Sequence, residues 1–297
     1  MKNFICLFVS ACLIASLPTQ AIALCATMPG RDGSGNISGV VNTYYPATAS
    51  AAASALAINV GASTGSATPI AIGDLLLVIQ MQDTDCNYTN LDSYGDGVAG
   101  TPASGYTALN STGLYEYVVA TTAVAAGVVS ITGTGGGGGL VHSYVSSAYV
   151  AGTHGQQTFQ VIRVPQYSGI TLTSTLTCSA WNGSSGGVLA LDVSYDMNLG
   201  GALVSVDGNG FRGGGPLIQA GGGAANTQYR RNAGTGNFGA KGEGIAGTPK
   251  YVYNSAAGVV ILGVEGYPNG SAGWGAPANA GGGGNDSNTA ANNQNAG

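Results

Sequence analysis

Three short apolar segments, separated only by turn residues, make up most of residues 186–215. They lie at 188–193, 197–199 and 203–206. Within each segment apolar residues alternate with small or polar ones, the two-residue period of a strand with one buried face. Connections this short fit either a tight antiparallel meander or successive turns of a parallel β-helix. We favour the β-helix, whose turns stack aliphatic side chains inward and use Gly or Asn at the corners.

The chain before this stretch also predicts strands and no helix. Residues 75–81 (LLLVIQM) form a continuous apolar run, which predicts a central strand buried on both faces. Residues 115–120 and 128–132 predict a hairpin, and residues 159–164 predict an alternating strand that ends at Pro165. The predicted fold class is therefore all-β, with an N-terminal β-module that caps a short parallel β-helix and a glycine-rich, partly ordered region after it.

The first 23 residues have the features of a secretory signal peptide. Lys2 supplies a basic start, residues 4–17 are an apolar run, and Ala21-Ile22-Ala23 supplies the small residues of a cleavage site. The run is shorter than the roughly 20 apolar residues that a membrane span needs. We therefore expect a secreted or cell-surface protein that has no stable membrane span once the signal is removed.

Charged residues are scarce, and this scarcity restricts the classes of partner. Only 7% of the residues are charged and the net charge is −5, whereas about a quarter of the residues are charged in an ordinary globular protein. Nucleic-acid binding needs clusters of basic side chains that displace counterions. The pair Arg230-Arg231 is isolated, so we predict no nucleic-acid partner.

The cysteines do not form a framework of disulfides. Signal removal leaves Cys25, Cys86 and Cys178, and an exported chain meets oxidising conditions. One disulfide then has three pairings open to it and leaves one thiol over. None of the spacings is that of a metal or redox CxxC motif.

The segment 83–97 (DTDCNYTNLDSYGDG) is the candidate metal site. Alternating oxygen-bearing side chains at its start imitate a calcium loop. The match to an EF-hand then fails, because Tyr88 and Tyr94 occupy the positions that need Gly and Glu. The alternative is a solvated loop whose Asp, Asn and Gly favour turns. The candidate calcium ligands are Asp83, Asp85, Asp92 and Asp96, and no other cofactor is predicted.

Two patterns suggest catalysis. Asp192, Asp196 and Asp207 follow one another along the apolar segments, as the acids of a polysaccharide-cleaving β-helix lyase or hydrolase do. Turn chemistry accounts for Asp196 and Asp207 without catalysis. Residues 183–187 (GSSGG) match the GxSxG nucleophile pattern, but a predicted strand follows them instead of the helix that this motif requires. We therefore predict no catalytic residues.

Glycine tracts complete the predicted organisation. Residues 133–139 lack the lysine and helix of a phosphate loop and predict a linker. Residues 258–262 predict a strand within the glycine-rich C-terminal part. The predicted units are a signal peptide (1–23), an N-terminal β-module (24–165), β-helix coils (166–215) and a glycine-rich region (216–297) that we expect to continue beyond this fragment.

Several motifs, in their order, resemble the N-terminal region of large bacterial surface proteins that are glycine-rich, β-helical and adhesin-like. They are GDLLLVIQMQD (73–83), GLYEYVVA (113–120), QVIRVPQY (160–167), WNGSSGGVLALDV (181–193) and VSVDGNGFRGGG (204–215). The resemblance implies a capping β-module that leads into β-helix coils and a glycine-rich region. It transfers no catalytic residues, since this family has none that are settled.

Two functions follow as expectations. The first is an exported structural or adhesive module, with no catalytic activity, that contacts glycans, other cells or like chains. In that case replacing residues 213–215 by alanine should disrupt folding. The second is a polysaccharide-cleaving β-helix enzyme, in which Asp192→Asn should abolish the release of reducing ends. We favour the first, because no acid is paired with a base on one demonstrable face.

Overall fold

A computed structural model describes residues 29–85, 106–150, 152–214 and 242–249, together with the backbone of short strands after residue 250. This part of the chain is all-β, as predicted, with a single 3-10 turn at Gly136–Gly138. Its strands are β1 (Ser34–Val40), β2 (Thr43–Pro46), β3 (Ala57–Asn59), β4 (Thr64–Gly65), β5 (Leu75–Gln82), β6 (Tyr115–Ala120), β7 (Val128–Thr132), β8 (Thr158–Val164), β9 (Gln166–Tyr167), β10 (Gly169–Thr177), β11 (Asp192–Val193), β12 (Met197–Asn198), β13 (Tyr251–Asn254), β14 (Gly258–Ile261), β15 (Gly284–Asp286) and β16 (Gln294–Ala296). The predicted signal peptide lies outside the described residues, and no described helix is long and apolar enough to cross a membrane.

The largest sheet has the order β3-β7-β6-β5-β8-β2-β4, and its neighbours pair antiparallel. The apolar run at 75–81 becomes β5, which lies between β6 and β8 and is mostly buried. β6 and β7 form the predicted hairpin, and the predicted strand at 159–164 lies within β8. These three predictions are confirmed.

Both edges of this sheet are formed by one stretch of chain, residues 57–65, which contains β3 and β4. On one side of the stretch the Val60 N–H donates to the Gly127 carbonyl over 2.8 Å. On the other side the Thr48 N–H donates to the Asn59 carbonyl over 3.1 Å. The sheet therefore curls back on itself and encloses one of its faces.

Alternate residues of the central strand enter two different cores. Leu76 and Val78 point to the enclosed face, where both side chains are fully buried in the larger core. Leu75 and Leu77 point to the opposite face and pack with the buried Cys178. Partly buried side chains that complete this second core are Val40, Ile79, Val188, Leu189 and Ala190. Each buried Leu or Val contributes about 1.5–3 kcal/mol, so both faces stabilise the sheet.

The strands around residues 166–204 pair parallel instead. β1 pairs with β10, β10 with β12, and β9 with β11. Three residue pairs mark the return of the chain alongside its own earlier path, each after 26 to 28 residues: Gln166 with Asp192, Ile170 with Met197, and Leu176 with Val204. A side core made by Ile170, Leu172 and Leu176 lies beside these strands.

The apolar segments at 186–215 are less regular than their alternation predicts. Residues 188–191 form no strand, although they are partly buried, and only two residues pair in each of β11 and β12. The expectation that the third segment faces inward is wrong, since Leu203 is 67% exposed and Val204 and Val206 are about half exposed. Alternation marks strand character, but burial also requires a layer packed on the apolar face.

The glycine tract at 133–139 is not a linker, so that prediction is wrong. The N–H of Gly133 donates to the Gly138 carbonyl over 2.7 Å, and that of Gly135 donates to the Gly139 carbonyl over 2.9 Å. A Cβ at Gly139 would overlap the backbone carbonyl of Ser54. The tract is a tightly packed turn in which glycine permits close backbone approach.

The short segment 242–249 joins distant parts of the chain. Gln82 donates through Nε2 to the Gly244 carbonyl over 2.9 Å and to the Thr248 hydroxyl over 3.1 Å. Glu243 accepts hydrogen bonds of 2.9 and 3.0 Å from the Arg212 guanidinium. The segment therefore connects the end of β5 to the turn at Arg212. Farther along, β13 pairs with β14, which confirms the strand predicted at 258–262.

Candidate functional site

A groove of about 400 Å³ opens between the end of β2, the beginning of β8 and the turn before residue 185. The side chains that give it its chemistry are Thr48, Ser146, Tyr149, Gln156, Gln157 and Ser184. None of the described residues that line it is Asp, Glu, Lys or Arg. It is a polar, uncharged site.

Two walls of this groove, the first at residues 146–149 and the second at residues 156–158, are held together by backbone hydrogen bonds. The Ser147 N–H donates to the Gln157 carbonyl over 3.1 Å, and the Gln157 N–H returns a bond of 3.0 Å to the Ser147 carbonyl. Ser146 is held twice: its N–H donates to the Ser50 hydroxyl over 3.0 Å, and its own hydroxyl donates to the Ala47 carbonyl over 3.1 Å. Hydrogen bonds within the protein therefore hold both walls in place.

Two buried polar side chains hold the chain that leads into the first wall. Gln80 accepts from the Val145 N–H over 2.8 Å and donates to the Val145 carbonyl over 2.7 Å. The carboxylate of Glu116 accepts from the N–H groups of Val141 and His142 over 2.9 and 3.0 Å. Each bond to the charged carboxylate contributes about 1.5–3 kcal/mol. The side chains of β5 and β6 thus position this wall.

Tyr144 completes the support below that wall. Its ring packs against Phe159, with 5.4 Å between the ring centroids, and its hydroxyl donates to Glu116 over 3.1 Å. Burial raises the pKa of Tyr144 well above its usual range, and the charge of Glu116 adds to the increase. The phenol therefore stays protonated and keeps its donor role at neutral pH.

Polar atoms in the groove are available to a ligand. The exposed Thr48 hydroxyl has no hydrogen-bond partner among the described residues. Gln156 is partly exposed, and its amide reaches Thr158 and the Gly183 carbonyl only over 3.4 and 3.5 Å. Ser184 donates its hydroxyl to Asn182 over 2.9 Å and retains acceptor capacity. Hydroxyls and amides of this kind supply both donors and acceptors without charge.

Two of the four candidate calcium ligands, Asp83 and Asp85, lie among the described residues. Asp83 is buried, and its carboxylate accepts from the Ser111 N–H over 2.9 Å and from Gln157 Nε2 over 2.6 Å. Burial raises the pKa of Asp83 above its usual range. Asp85 pairs through its backbone with Ala108, and Asp92 and Asp96 lie outside the described residues. No cluster of three or more His, Cys, Asp or Glu suited to a metal ion occurs among the residues that the structure describes.

The acids considered for catalysis lie in different settings. Asp192 lies on β11, partly buried, and accepts from Gln166 Nε2 over 2.9 Å. Asp196 and Asp207 are exposed, and the Asp207 N–H donates to the Ser205 hydroxyl over 3.2 Å within a turn. The structure thus places Asp192 in a ladder between parallel strands and Asp207 in a turn.

The serine of the GxSxG pattern also has a local role. The Asn182 side-chain oxygen accepts from the N–H groups of Ser184 and Ser185 over 2.9 and 3.0 Å. The hydroxyl of Ser185 is buried and lies 3.3 Å from that of Thr64. These contacts close a turn and join it to β4.

Sequence reasoning missed a buried ionic network. Arg163 Nε donates to Asp74 over 2.8 Å, and its terminal nitrogen donates to Asp32. Arg31 Nε also donates to Asp74, over 3.1 Å. The signal was present in the sequence, because Arg163 shares a strand face with Phe159 and Val161, and a charge in a buried strand needs a partner.

Cys178 is buried beside Tyr44 in the second core, and burial raises the pKa of its thiol. It forms no disulfide with any described residue. Cys25 and Cys86 lie outside the described residues, so the three pairings remain predictions.

No model of a known protein family matches this chain, and no curated protein matches it significantly.

Proposed function

We propose that this chain is a non-catalytic structural or adhesive module of an exported cell-surface protein. In this proposal the curled sheet caps a short parallel β-helix that begins at β9 and β10. The observation that carries it is the parallel return of the chain, in which Gln166, Ile170 and Leu176 pair with residues 26 to 28 positions later. A return of the chain after nearly the same number of residues each time is the property of a solenoid.

The exposed apolar side of the second turn supports continuation of this stack. Met197, Leu199, Leu203, Val204 and Val206 are between 38% and 67% exposed. A solenoid that ends needs a polar outer face on its last turn. We therefore propose that a further turn of the stack covers these side chains.

The surface chemistry supports adhesion in preference to turnover. Aromatic side chains with a polar tip suit contact surfaces, and Tyr115, Tyr117 and Tyr195 are between 46% and 81% exposed. Low charge leaves such contacts to hydrogen bonds and apolar packing. The preformed uncharged groove adds a second recognition surface of the same character.

The experiment uses the protein in its natural source. An antibody raised against the purified chain is applied to intact and to permeabilised cells, and mild protease treatment of intact cells follows. We expect labelling of intact cells, loss of the label after protease, and reduced attachment of treated cells to glycan-coated and cell-coated surfaces. Labelling only after permeabilisation, or unchanged attachment after the label is lost, would overturn the proposal.

The alternative is a polysaccharide-cleaving enzyme that uses Asp192. The mature chain and the variant Asp192→Asn are incubated with a panel of polysaccharides, and reducing ends are measured. We expect no release from either protein. Release by the wild-type chain that is lost in Asp192→Asn, with an unchanged melting temperature, would replace the adhesive proposal with the enzyme.

A further inference from the structure

We propose that the groove lined by Thr48, Tyr149, Gln156 and Ser184 is a binding site for a neutral oligosaccharide. This inference rests on the adhesive function proposed above and names the ligand class of one surface. Four properties of the groove support it: its uncharged donors and acceptors, its aromatic ring, its fixed walls and its lack of features suited to other ligand classes.

The polar groups of the groove match the hydroxyls of a sugar. The Thr48 hydroxyl and the Gln156 amide each offer a donor and an acceptor, and both side chains reach solvent. A sugar hydroxyl likewise donates and accepts, so each contact can be satisfied in either direction. The bonds to Gln156 within the protein are long, 3.4 and 3.5 Å, and are easily exchanged for bonds to a ligand.

Tyr149 provides the apolar component. Its ring lines the groove and is partly buried. The C–H face of a pyranose is apolar, whereas its rim carries hydroxyls. A ring that buries apolar area beside polar neighbours suits such a ligand. Tyr149 therefore supplies apolar packing, and Gln156 and Thr48 supply the hydrogen bonds that orient the sugar.

The walls are fixed before a ligand arrives. Ser147 and Gln157 pair through their backbones, and Asp83 holds the Gln157 side chain over 2.6 Å. Gln80 holds Val145 by two bonds. A preformed site loses little conformational entropy when it binds. A flexible, uncharged ligand such as a neutral oligosaccharide needs this advantage.

Other ligand classes fit less well. An anion would find no Arg or Lys in the lining and a chain of net charge −5. The carboxylate of Asp83, which contacts the lining residue Gln157, already accepts from Ser111 and Gln157, so a cation gains little. Peptides bind by adding a strand to a free edge or by filling apolar pockets. Here Ser147 and Gln157 are already paired, and alanines are the aliphatic residues of the lining.

The experiment measures binding to the mature full-length chain by calorimetry and by saturation-transfer NMR. The neutral probes are maltohexaose, cellohexaose and hexa-N-acetylchitohexaose, with hexagalacturonate as the charged probe and a Gly/Ser hexapeptide as the peptide probe. We expect at least one neutral hexasaccharide to bind, and hexagalacturonate and the peptide to bind at least about tenfold more weakly, a factor that corresponds to the loss of one or two good contacts.

Groove variants identify the site. We expect Tyr149→Ala to weaken binding by about tenfold and Gln156→Ala by about fivefold, as the loss of one stacking or hydrogen-bond contact predicts. Tyr149→Phe keeps the ring and should stay within about threefold of the wild type. The controls outside the groove are Tyr106→Ala, matched to Tyr149→Ala, and Thr121→Ala, matched to Thr48→Ala. Tyr106 and Thr121 are exposed, and both control variants should bind as the wild type does. Melting temperatures establish that each variant is folded.

The outcomes separate this inference from the proposed function. The groove assignment is overturned if no neutral hexasaccharide binds, if the charged or peptide probe binds more tightly, or if Tyr106→Ala weakens binding while Tyr149→Ala does not. In any of these cases, the adhesive function still stands if protease treatment of intact cells reduces their attachment. If the antibody does not label intact cells, the proposed function itself is overturned.

Discussion

Nε of Arg163 lies 2.8 Å from a carboxylate oxygen of Asp74, and both side chains are almost completely buried. The contact joins β8 to the residue that precedes β5, and Asp32 extends it to the N-terminal segment. Burial acts to lower the pKa of Arg163, but the hydrogen bonds and charges of Asp74 and Asp32 outweigh it and raise that pKa. The guanidinium is therefore fully charged and depends on both carboxylates.

Removing Asp74 should destabilise the protein strongly. Asp74→Ala leaves the buried charge of Arg163 with Asp32 as its remaining acidic partner, and breaking a buried pair typically costs about 3–5 kcal/mol. The matched control is Asp196→Ala, since Asp196 is exposed and should change stability by no more than about 0.5 kcal/mol. Urea denaturation measures both. Equal costs for the two variants would show that the buried pair does not stabilise the fold.

The contribution of Asp83 should fall as pH rises. Burial raises its pKa above the ordinary value of 3.8, against the opposing hydrogen bonds from Ser111 and Gln157. The folded state then binds the proton more tightly than the unfolded state, so stability from this group is greatest below pH 3.8 and is lost as pH rises through the folded pKa.

Asp83→Asn does not titrate, so it isolates this effect. We expect the free energy of unfolding of the wild type, relative to Asp83→Asn, to be smaller at pH 7 than at pH 3.5. Urea denaturation at several pH values gives the difference. A wild-type advantage that increases with pH would mean that the hydrogen bonds to the carboxylate outweigh its burial.

Calcium should not act through Asp83, because both of its carboxylate oxygens already accept hydrogen bonds. We expect the melting temperatures of the wild type and of Asp83→Asn to respond equally to a few millimolar calcium chloride, with EDTA as the reference. Binding of calcium to the folded state alone would raise the melting temperature by mass action. A calcium-dependent increase that Asp83→Asn abolishes would establish Asp83 as a ligand.

Two glycines with unremarkable backbone angles should respond differently to the same substitution. Gly139 has a φ of −97°, but a Cβ there would overlap the Ser54 carbonyl. Gly213 has open space around the position of a Cβ. We expect Gly139→Ala to cost about 1–3 kcal/mol, as overpacking does. Gly213→Ala should stay within about 0.5 kcal/mol, so the open space at Gly213 argues against a part for it in the folding defect expected when alanine replaces residues 213–215. A larger loss at Gly213 in thermal or urea unfolding would contradict this assignment.

The parallel register should be open to crosslinking. Thr171 and Asn198 are direct partners between β10 and β12, and paired strands lie about 4.8 Å apart, within reach of a disulfide. We expect Thr171→Cys/Asn198→Cys to form one on mild oxidation, detected by peptide mass spectrometry. Thr173→Cys/Asn198→Cys places the pair more than about 7 Å apart and should not. Equal yields from the two pairs would contradict the register.

Local pattern was sufficient for the strands themselves. The continuous apolar run at 75–81 and the alternations at 115–120 and 159–164 became β5, β6 and β8. Side-chain periodicity and branched residues act within a few positions of the chain, so the sequence alone determined the all-β class and the strand that runs through the centre of the sheet.

Burial and the site depended on residues far apart in sequence. Alternation did not reveal that Leu203 is exposed, because no neighbouring residue tells whether a layer covers it. The glycine pattern at 133–139 predicted a linker, because the sequence does not show that Ser54 packs against Gly139. The groove likewise combines Thr48, Gln156 and Ser184. Only the tertiary structure decided these features, since packing and buried charge pairing are set by which distant segments meet.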